Sequence, residues 1–424
     1  MTSTALITKE PGFDVILGNP PFLNQLETAT ATARGLASIV RLRSGDAIRG
    51  YTDLSATFFL FSTHIVRRGG RIVLVQPQSL LAAKDASSVR RELLRVGTLE
   101  SLWVSNEHVF PGAAVYTCAP TIHIGGPDRG TLHRSTTGKF TPLVPIQIVN
   151  HELAQEDTWA HLTADASGIP DAQIITTDTI SSVADATADF RDQYYGLEGF
   201  LVDDGDLPKQ PPPNDADFPL LITTGLIDLA ACHWGSVPTR VLKTKWQAPR
   251  IDRARMVRDG TLGQWLTTRM VPKLLIATQT RVVEVLADDA GRLVPSVPVL
   301  TVTPHDAEQL WHIAAVIASP VCTAIAMRKY AGAALSSDAI KLSAKQVLQL
   351  PLPHESIDWD AAAQHFREAT AAAEESARLS ALRSMAEATF RSFQVPAEQR
   401  EPLFAWWWAR LTREVVQEDA DEHA

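Results

Sequence analysis

Phe13-Asp14-Val15-Ile16-Leu17-Gly18-Asn19-Pro20-Pro21-Phe22 is the stretch on which the fold turns. Its first six residues are a short apolar run closed by glycine, which reads as a buried strand. Asn19 then offers a side-chain carbonyl. Pro20 and Pro21 fix φ and remove two backbone N–H donors, so the chain leaves the strand as a stiff loop rich in acceptors. Phe22 adds a flat apolar face.

Outward from this strand the pattern alternates. Residues 23–50 are polar and small, with Arg34, Arg41, Arg43 and Arg49. Leu54 to Arg67 is apolar enough for a buried helix, and Gly69-Gly70 reads as its end. Arg71 to Gln76 is the next strand, and Leu80 to Val96 has helical spacing. Leu99 to Val104 and Thr121 to Ile124 read as further strands. Strand and helix in alternation predict an α/β sheet, and a loop at the carboxyl end of a sheet strand is where such sheets bind ligands. Asp203 to Phe218 is acidic and proline-rich and reads as an exposed loop. Beyond it strands and helices mix, with strands expected at Lys273–Thr278 and Val282–Ala287. Pro351-Leu352-Pro353 closes this region. The rest reads as two or three helices, including Trp406-Trp407-Trp408; three consecutive tryptophans cannot share one core, so one is free for a partner or another domain. The expected domains are 1–150, a partial catalytic sheet; 151–353, a mixed α+β reading domain; and 354–424, a helical tail.

The loop and its surroundings resemble the amino-methyltransferases that act on adenine N6 in DNA and carry an [Asn/Asp/Ser]-Pro-Pro-[Tyr/Phe] loop after the fourth strand of a Rossmann-like sheet. The resemblance implies the C-terminal half of that sheet, S-adenosyl-L-methionine as cofactor and double-stranded DNA as partner. It places Asn19 and Pro20 as acceptors for the two N–H groups of the target amine, Pro21 as the stiffener and Phe22 as a stacking face for a base removed from the duplex. Asp53-Leu54 with Phe58 resembles the family's fifth motif, which implies that Asp53 and Phe58 line the donor site. Gly69 to Pro77 resembles the sixth, structural, motif. Val109-Phe110-Pro111 resembles the eighth, where Phe110 meets the base from the side opposite Phe22. Order and spacing of short pieces after residue 220 resemble the target-recognition regions of fused restriction-modification and phage-defence enzymes. The likeness covers residues 13 to 353.

One part of that pattern is missing. Such enzymes place a Phe-x-Gly-x-Gly loop for the donor before the Asn-Pro-Pro-Phe strand, and here residues 1–12 hold only Gly12. Three explanations stay open: a start placed too late, a second polypeptide that supplies the N-terminal half, or a remnant that binds DNA without catalysis. Two rival functions follow: a methyltransferase for protein glutamine or RNA, and a non-catalytic DNA-specificity subunit.

Composition bounds the choice. With 424 residues the chain holds two or three domains. Its 45% hydrophobic and 21% charged residues are ordinary for a globular protein. Cys118, Cys232 and Cys322 are far apart, so no metal site or disulfide framework is indicated, and a reducing, cytoplasmic location is expected. No signal peptide opens the chain. Leu310 to Met327, interrupted by His312 and Pro320, reads as one buried helix and not as a membrane span. Net charge is −9, yet Pro238 to Arg281 holds ten Lys or Arg against Asp252 and Asp259, a local +8. That is the footprint expected of a phosphate-binding surface. Arg240, Lys243, Lys245, Arg250 and Lys273 are the expected phosphate contacts, and Gln279 and Arg281 the candidate base readers. The alternative reading is a solvated face whose arginines pair with acidic residues elsewhere.

Overall fold

The computed structural model describes residues 12–22, 48, 53–105, 107, 109–110, 115–330 and 339–412. It separates into two compact units, Met1–Ile169 with Arg328–Asp338, and Pro170–Met327 with Ala339–Ala424. The fold class is α/β, as the alternation predicts. The unit boundaries differ from the expected three domains: the helical tail shares a unit with the region before it. Helix Ile357–Ala371 packs on Leu310–Ala318, where Trp311 and Phe366 meet at 6.4 Å and Trp359 donates to the His312 carbonyl at 3.1 Å.

The first unit is built on a seven-stranded sheet. Its strands are β1 (Phe13–Gly18), β2 (Val66–Leu74), β3 (Gln76–Pro77), β4 (Gly97–Val104), β5 (Thr117–Ile124), β6 (Thr131–Thr136) and β7 (Thr141–Gln147), in the order β1-β2-β5-β4-β6-β7 with β3 beside β5. β1 and β2 run parallel, whereas β5 is antiparallel to β2 and to β4. Helix α1 (Leu54–Ser62) and helix α2 (Ser87–Val96) supply apolar faces to this sheet. Phe59, Val89, Leu93, Ile72, Leu102 and Ile122 form its dry centre, each at most 1% exposed. Arg90, 1% exposed, ties the underside together through the carbonyls of Leu80, Ala83 and Asp157.

Two expectations change here. Gly69-Gly70 does not end a helix. Helix α1 stops at Ser62, and both glycines lie inside β2, opposite the register shift between Phe13 and Val15 of β1. A side chain at position 70 would sit 2.6 Å from Val66 Cγ2 and 2.8 Å from the Asp14 carbonyl, so Gly70 serves close strand approach. The second change concerns β1. Its apolar run predicts burial, but Phe13, Val15 and Leu17 are 62%, 52% and 72% exposed. Among the described residues β1 pairs only with β2, which leaves one edge and this apolar face uncovered.

The second unit is mixed α+β. One four-stranded sheet joins Ala184–Ala188, Leu300–Pro304, Lys273–Ile276 and Val285–Asp288; another joins Leu201–Asp203, Pro249–Ile251, Leu220–Ile222 and Leu293–Pro295. Two small hairpins stand beside them, one of them Thr239–Val241 with Thr244–Trp246. The long apolar stretch is two helices rather than one. Leu310–Ala318 and Pro320–Tyr330 break at Ser319, where Pro320 cannot donate to the preceding turn. Among the described residues no single helix is long and apolar enough to cross a membrane.

Candidate active site and nucleic-acid interface

The Asn19 loop leaves the sheet at the carboxyl end of β1. Val75 donates its N–H to the Gly18 carbonyl at 3.0 Å, so the last strand residue is pinned to β2 before the loop begins. Asn19 is exposed, and its side chain has no hydrogen-bond partner among the described residues. Its carbonyl oxygen is therefore available to a ligand. Neither Pro20 nor Pro21 has an N–H to compete for acceptors. Phe22 is half-buried, and its ring meets that of Phe110 at 6.2 Å with the planes at 73°. Two aromatics far apart in sequence thus close one corner beside Asn19, although Phe110 comes from the segment after β4.

On the donor side, Asp53 caps helix α1. Its Oδ1 accepts from the Ser55 N–H at 2.7 Å and from the Ser55 hydroxyl at 2.5 Å. Burial raises its pKa, and the two Ser55 bonds oppose that rise. Capping of this kind explains Asp53 without a ligand; Oδ2 has no partner among the described residues. Phe58 lies on α1 with 47% of its surface exposed, while Phe59 beside it is fully enclosed. An exposed ring on an otherwise buried helix fits one wall of an adenine pocket. Among the described residues β1 pairs on one edge only.

In the second unit the basic run divides. Arg240 and Lys245 face each other across the hairpin, and Lys243 occupies its tip. All three are exposed and without an ion-pair partner among the described residues. The turn is Leu242-Lys243, with φ of +51° and +65°. No glycine or asparagine marks it, which is why the sequence did not reveal a hairpin. Tyr194 holds the turn by accepting from the Leu242 N–H at 2.9 Å. Like charges set directly across a strand pair repel, so this hairpin is built for a polyanion or for solvent.

Arg250 and Lys273 are corrected as phosphate contacts. Arg250 is 7% exposed and bonds to Asp204 at 2.5 Å, Asp215 at 2.7 Å and the Phe218 carbonyl, with its guanidinium 4.8 Å from the Trp234 ring. The acidic segment read as a loose exposed loop thus grips an arginine. Lys273 is fully enclosed and bonds to Asp288, which also accepts from the backbone of Arg292 and Leu293. Arg269 likewise pairs with the buried Asp189, whereas Arg258 pairs with its neighbour Asp259 at the surface. Gln279 is exposed on the turn between strands Lys273–Ile276 and Val285–Asp288, with a φ of +66° that costs a non-glycine residue about 1–3 kcal/mol. Arg281 lies two residues further along the same turn. Sequence reasoning missed what surrounds that turn, including Arg410, whose side chain reaches the Arg281 carbonyl.

Comparison with known proteins extends this description. Residues 2–110 match the family described as the Eco57I restriction-modification methylase. Over 140 residues the chain is 31% identical to the type II methyltransferase M.TthHB8I of Thermus thermophilus, which covers 32% of this chain and 32% of that protein. Over 117 residues it is 31% identical to the putative type II restriction enzyme and methyltransferase RM.MjaORFECS2P of Methanocaldococcus jannaschii, 28% of this chain and 9% of that one. Among solved structures, its fold is similar to the type IIL restriction-modification enzyme MmeI in complex with DNA. The TM-score is 0.55 at 12% identity, over 94% of this chain and 56% of MmeI. The chain thus spans about a third or less of the curated relatives it matches.

Proposed function

With a restriction-modification methylase segment in residues 2–110 as the premise, we propose that this chain methylates adenine N6 in double-stranded DNA. We further propose that Asn19 to Phe22 hold the target amine and that the second unit reads the DNA. The observation that carries this reading is the Phe22–Phe110 ring pair three residues beyond Asn19, whose side chain has no hydrogen-bond partner among the described residues.

The exocyclic nitrogen of adenine is a poor nucleophile because its lone pair is delocalised into the ring. Asn19 Oδ1 and the Pro20 carbonyl accept from its two N–H groups. That pair of bonds favours a more tetrahedral nitrogen and frees the lone pair for in-line attack. The loop is held by the β1–β2 sheet before substrate arrives, so the contribution is chiefly positioning. A base out of the duplex stack replaces the Phe22–Phe110 contact with stacking on Phe22, worth about 1–3 kcal/mol. S-adenosyl-L-methionine, when bound, would supply an electrophilic methyl group, its sulfur leaving as a neutral thioether with the electron pair of the broken C–S bond while the methylated amine loses one proton to solvent. Phe58 and Asp53 would hold its adenosine part. Among the described residues one edge of β1 is unpaired, and with Phe13, Val15 and Leu17 exposed it suits a further parallel strand. We propose that the other wall of the donor site arrives on such a strand, from additional residues of the same protein or from a second polypeptide.

The hairpin cations Arg240, Lys243 and Lys245 neutralise phosphates and set register, while Gln279 and Arg281 contact base edges. Duplex DNA incubated with labelled donor and then digested to nucleosides tests the reading. N6-methyladenine is the expected product. Label found on cytosine, or only in RNA or protein, would contradict it.

A further inference from the structure

We infer that the C-terminal helix sets the shape of the base-reading turn, with Arg410 as the positioning residue. The inference rests on the reading of Gln279 and Arg281 as base contacts. It starts from a turn whose own contacts, the Thr280 hydroxyl on the Val282 carbonyl among them, are supplemented from outside. Ala277 to Glu284 reads Ala-Thr-Gln-Thr-Arg-Val-Val-Glu, without glycine or proline. Its mouth is closed by the Ala277 N–H on the Glu284 carbonyl at 3.1 Å. Gln279 nevertheless holds a left-handed conformation, and a non-glycine residue stays there only where its surroundings over-determine it.

Those surroundings include Thr323, whose hydroxyl accepts from the Val283 N–H at 3.3 Å, and two more distant segments. Ile340 brackets the turn. Its carbonyl accepts from the N–H groups of Gln279 at 3.0 Å and Thr280 at 3.3 Å, and its own N–H donates to the Thr280 carbonyl at 2.7 Å. Arg410 completes the hold, with Nε donating to the Arg281 carbonyl at 3.0 Å. Three consecutive residues, 279 to 281, are thus held through their backbones from outside the turn.

The tryptophan triplet explains how Arg410 is aimed. Trp407 is fully buried and, with Leu403, roots helix Ala397–Leu411 in the unit. Trp408 stacks on Phe404 at 5.3 Å, and Arg383 lies 4.8 Å and 4.9 Å from those two rings. Trp406 carries the Arg410 guanidinium at 5.0 Å, a contact that adds to the restraint on this long side chain. A reading side chain displaced by 1 Å loses a two-bond contact with a base, so a brace on the turn acts on specificity.

Selection of binding sites from a randomised duplex pool tests this with the full chain. Wild type, Gln279→Ala, Arg410→Ala, Arg410→Lys and Trp406→Ala would be compared, with thermal melts and salt slopes measured alongside. Gln279→Ala is expected to blur one base-pair position. Arg410→Ala and Trp406→Ala should blur that same position, with cognate-over-random affinity down about 5- to 10-fold, a fraction of a full bidentate contact. Salt slopes should stay unchanged because phosphate contacts are untouched, and Arg410→Lys should restore only part of the discrimination. A merely structural role would lower cognate and random binding together. If Arg410→Ala does not fold, Arg410→Lys and Trp406→Ala still decide. A site kept sharp in the Arg410 and Trp406 variants but blurred by Gln279→Ala overturns the brace and leaves the reading standing. A site unchanged by Gln279→Ala, or no enriched site in wild type, overturns the reading and the brace with it.

Discussion

Arg240, Lys243 and Lys245 stand on the outside of a short hairpin, whereas Arg250 and Lys273, drawn from the same basic run, are enclosed with carboxylates. Along the chain these cations are equivalent and sum to one positive stripe. In the fold they divide by what strand pairing does to them. In the hairpin Val241 turns inward to the core, while Arg240, Lys243 and Lys245 face water. Lys273 opens a strand with neighbours on both sides and is buried throughout, and a charge taken out of water must be paired there. A linear count of charge therefore overstates the surface that DNA can meet. It also hides a second class of charges that hold the unit together.

That contrast breaks first on stability. Lys273→Ala leaves Asp288 buried without its cation, and the expected loss is about 3–5 kcal/mol, read from the urea midpoint. The hairpin variant Lys243→Ala with Lys245→Ala should stay within about 0.5 kcal/mol of wild type. Equal stability losses for the two would erase the distinction.

The next effect is on pH. Burial, and then the nearby Asp228 carboxylate, push Glu284 up to about 8, while Arg281 and Arg378 pull it down. The folded state therefore keeps a proton that the unfolded chain releases near its ordinary value of 4.5. Stability contributed by this group is greatest below pH 4.5, falls as pH rises toward 8, and levels off above. Glu284 is partly open to solvent, so the span is on the order of 2–4 kcal/mol. Glu284→Gln should flatten that stretch of the stability profile; an unchanged slope would show that Glu284 titrates as an ordinary carboxyl.

The smallest effect concerns salt. Duplex affinity should fall steeply with salt, and removing Lys243 and Lys245 should flatten the slope of log K against log[salt] by about two units at most. Cognate and random duplexes should lose similarly. A slope left intact would make the hairpin a solvated face.

Much of the first unit was legible because local signals and tertiary demands agree there. The strands near 71 and 99 and the helix ending at Val96 follow from periodicity, since each packs one side on a shared core, whereas the strand at 13–18 was legible as a strand but not in its burial, because its apolar residues Phe13, Val15 and Leu17 lie exposed. Gly69-Gly70 misled because glycine serves two purposes, turning a chain and letting strands approach, and only the neighbouring strand reveals which. The second unit was less legible. Its strands are short and its hairpin turns on Leu242-Lys243. Its key contacts also join distant residues: Arg250 with Asp204 and Asp215, Lys273 with Asp288, Arg410 with Arg281. No spacing rule connects such pairs. Asn19 to Phe22 could be read as a unit, whereas the meeting of Phe22 with Phe110 required the fold.

The central claim is that Asn19 activates the target amine rather than holding DNA. The direct measurement is methyl transfer to adenine-containing duplex by the active form of the protein, wild type against Asn19→Ala, with duplex affinity measured on the same samples. Loss of one positioned polar contact to the reacting group should lower turnover by about 100- to 1,000-fold, with affinity for DNA unchanged. Turnover near wild type in Asn19→Ala would contradict the account.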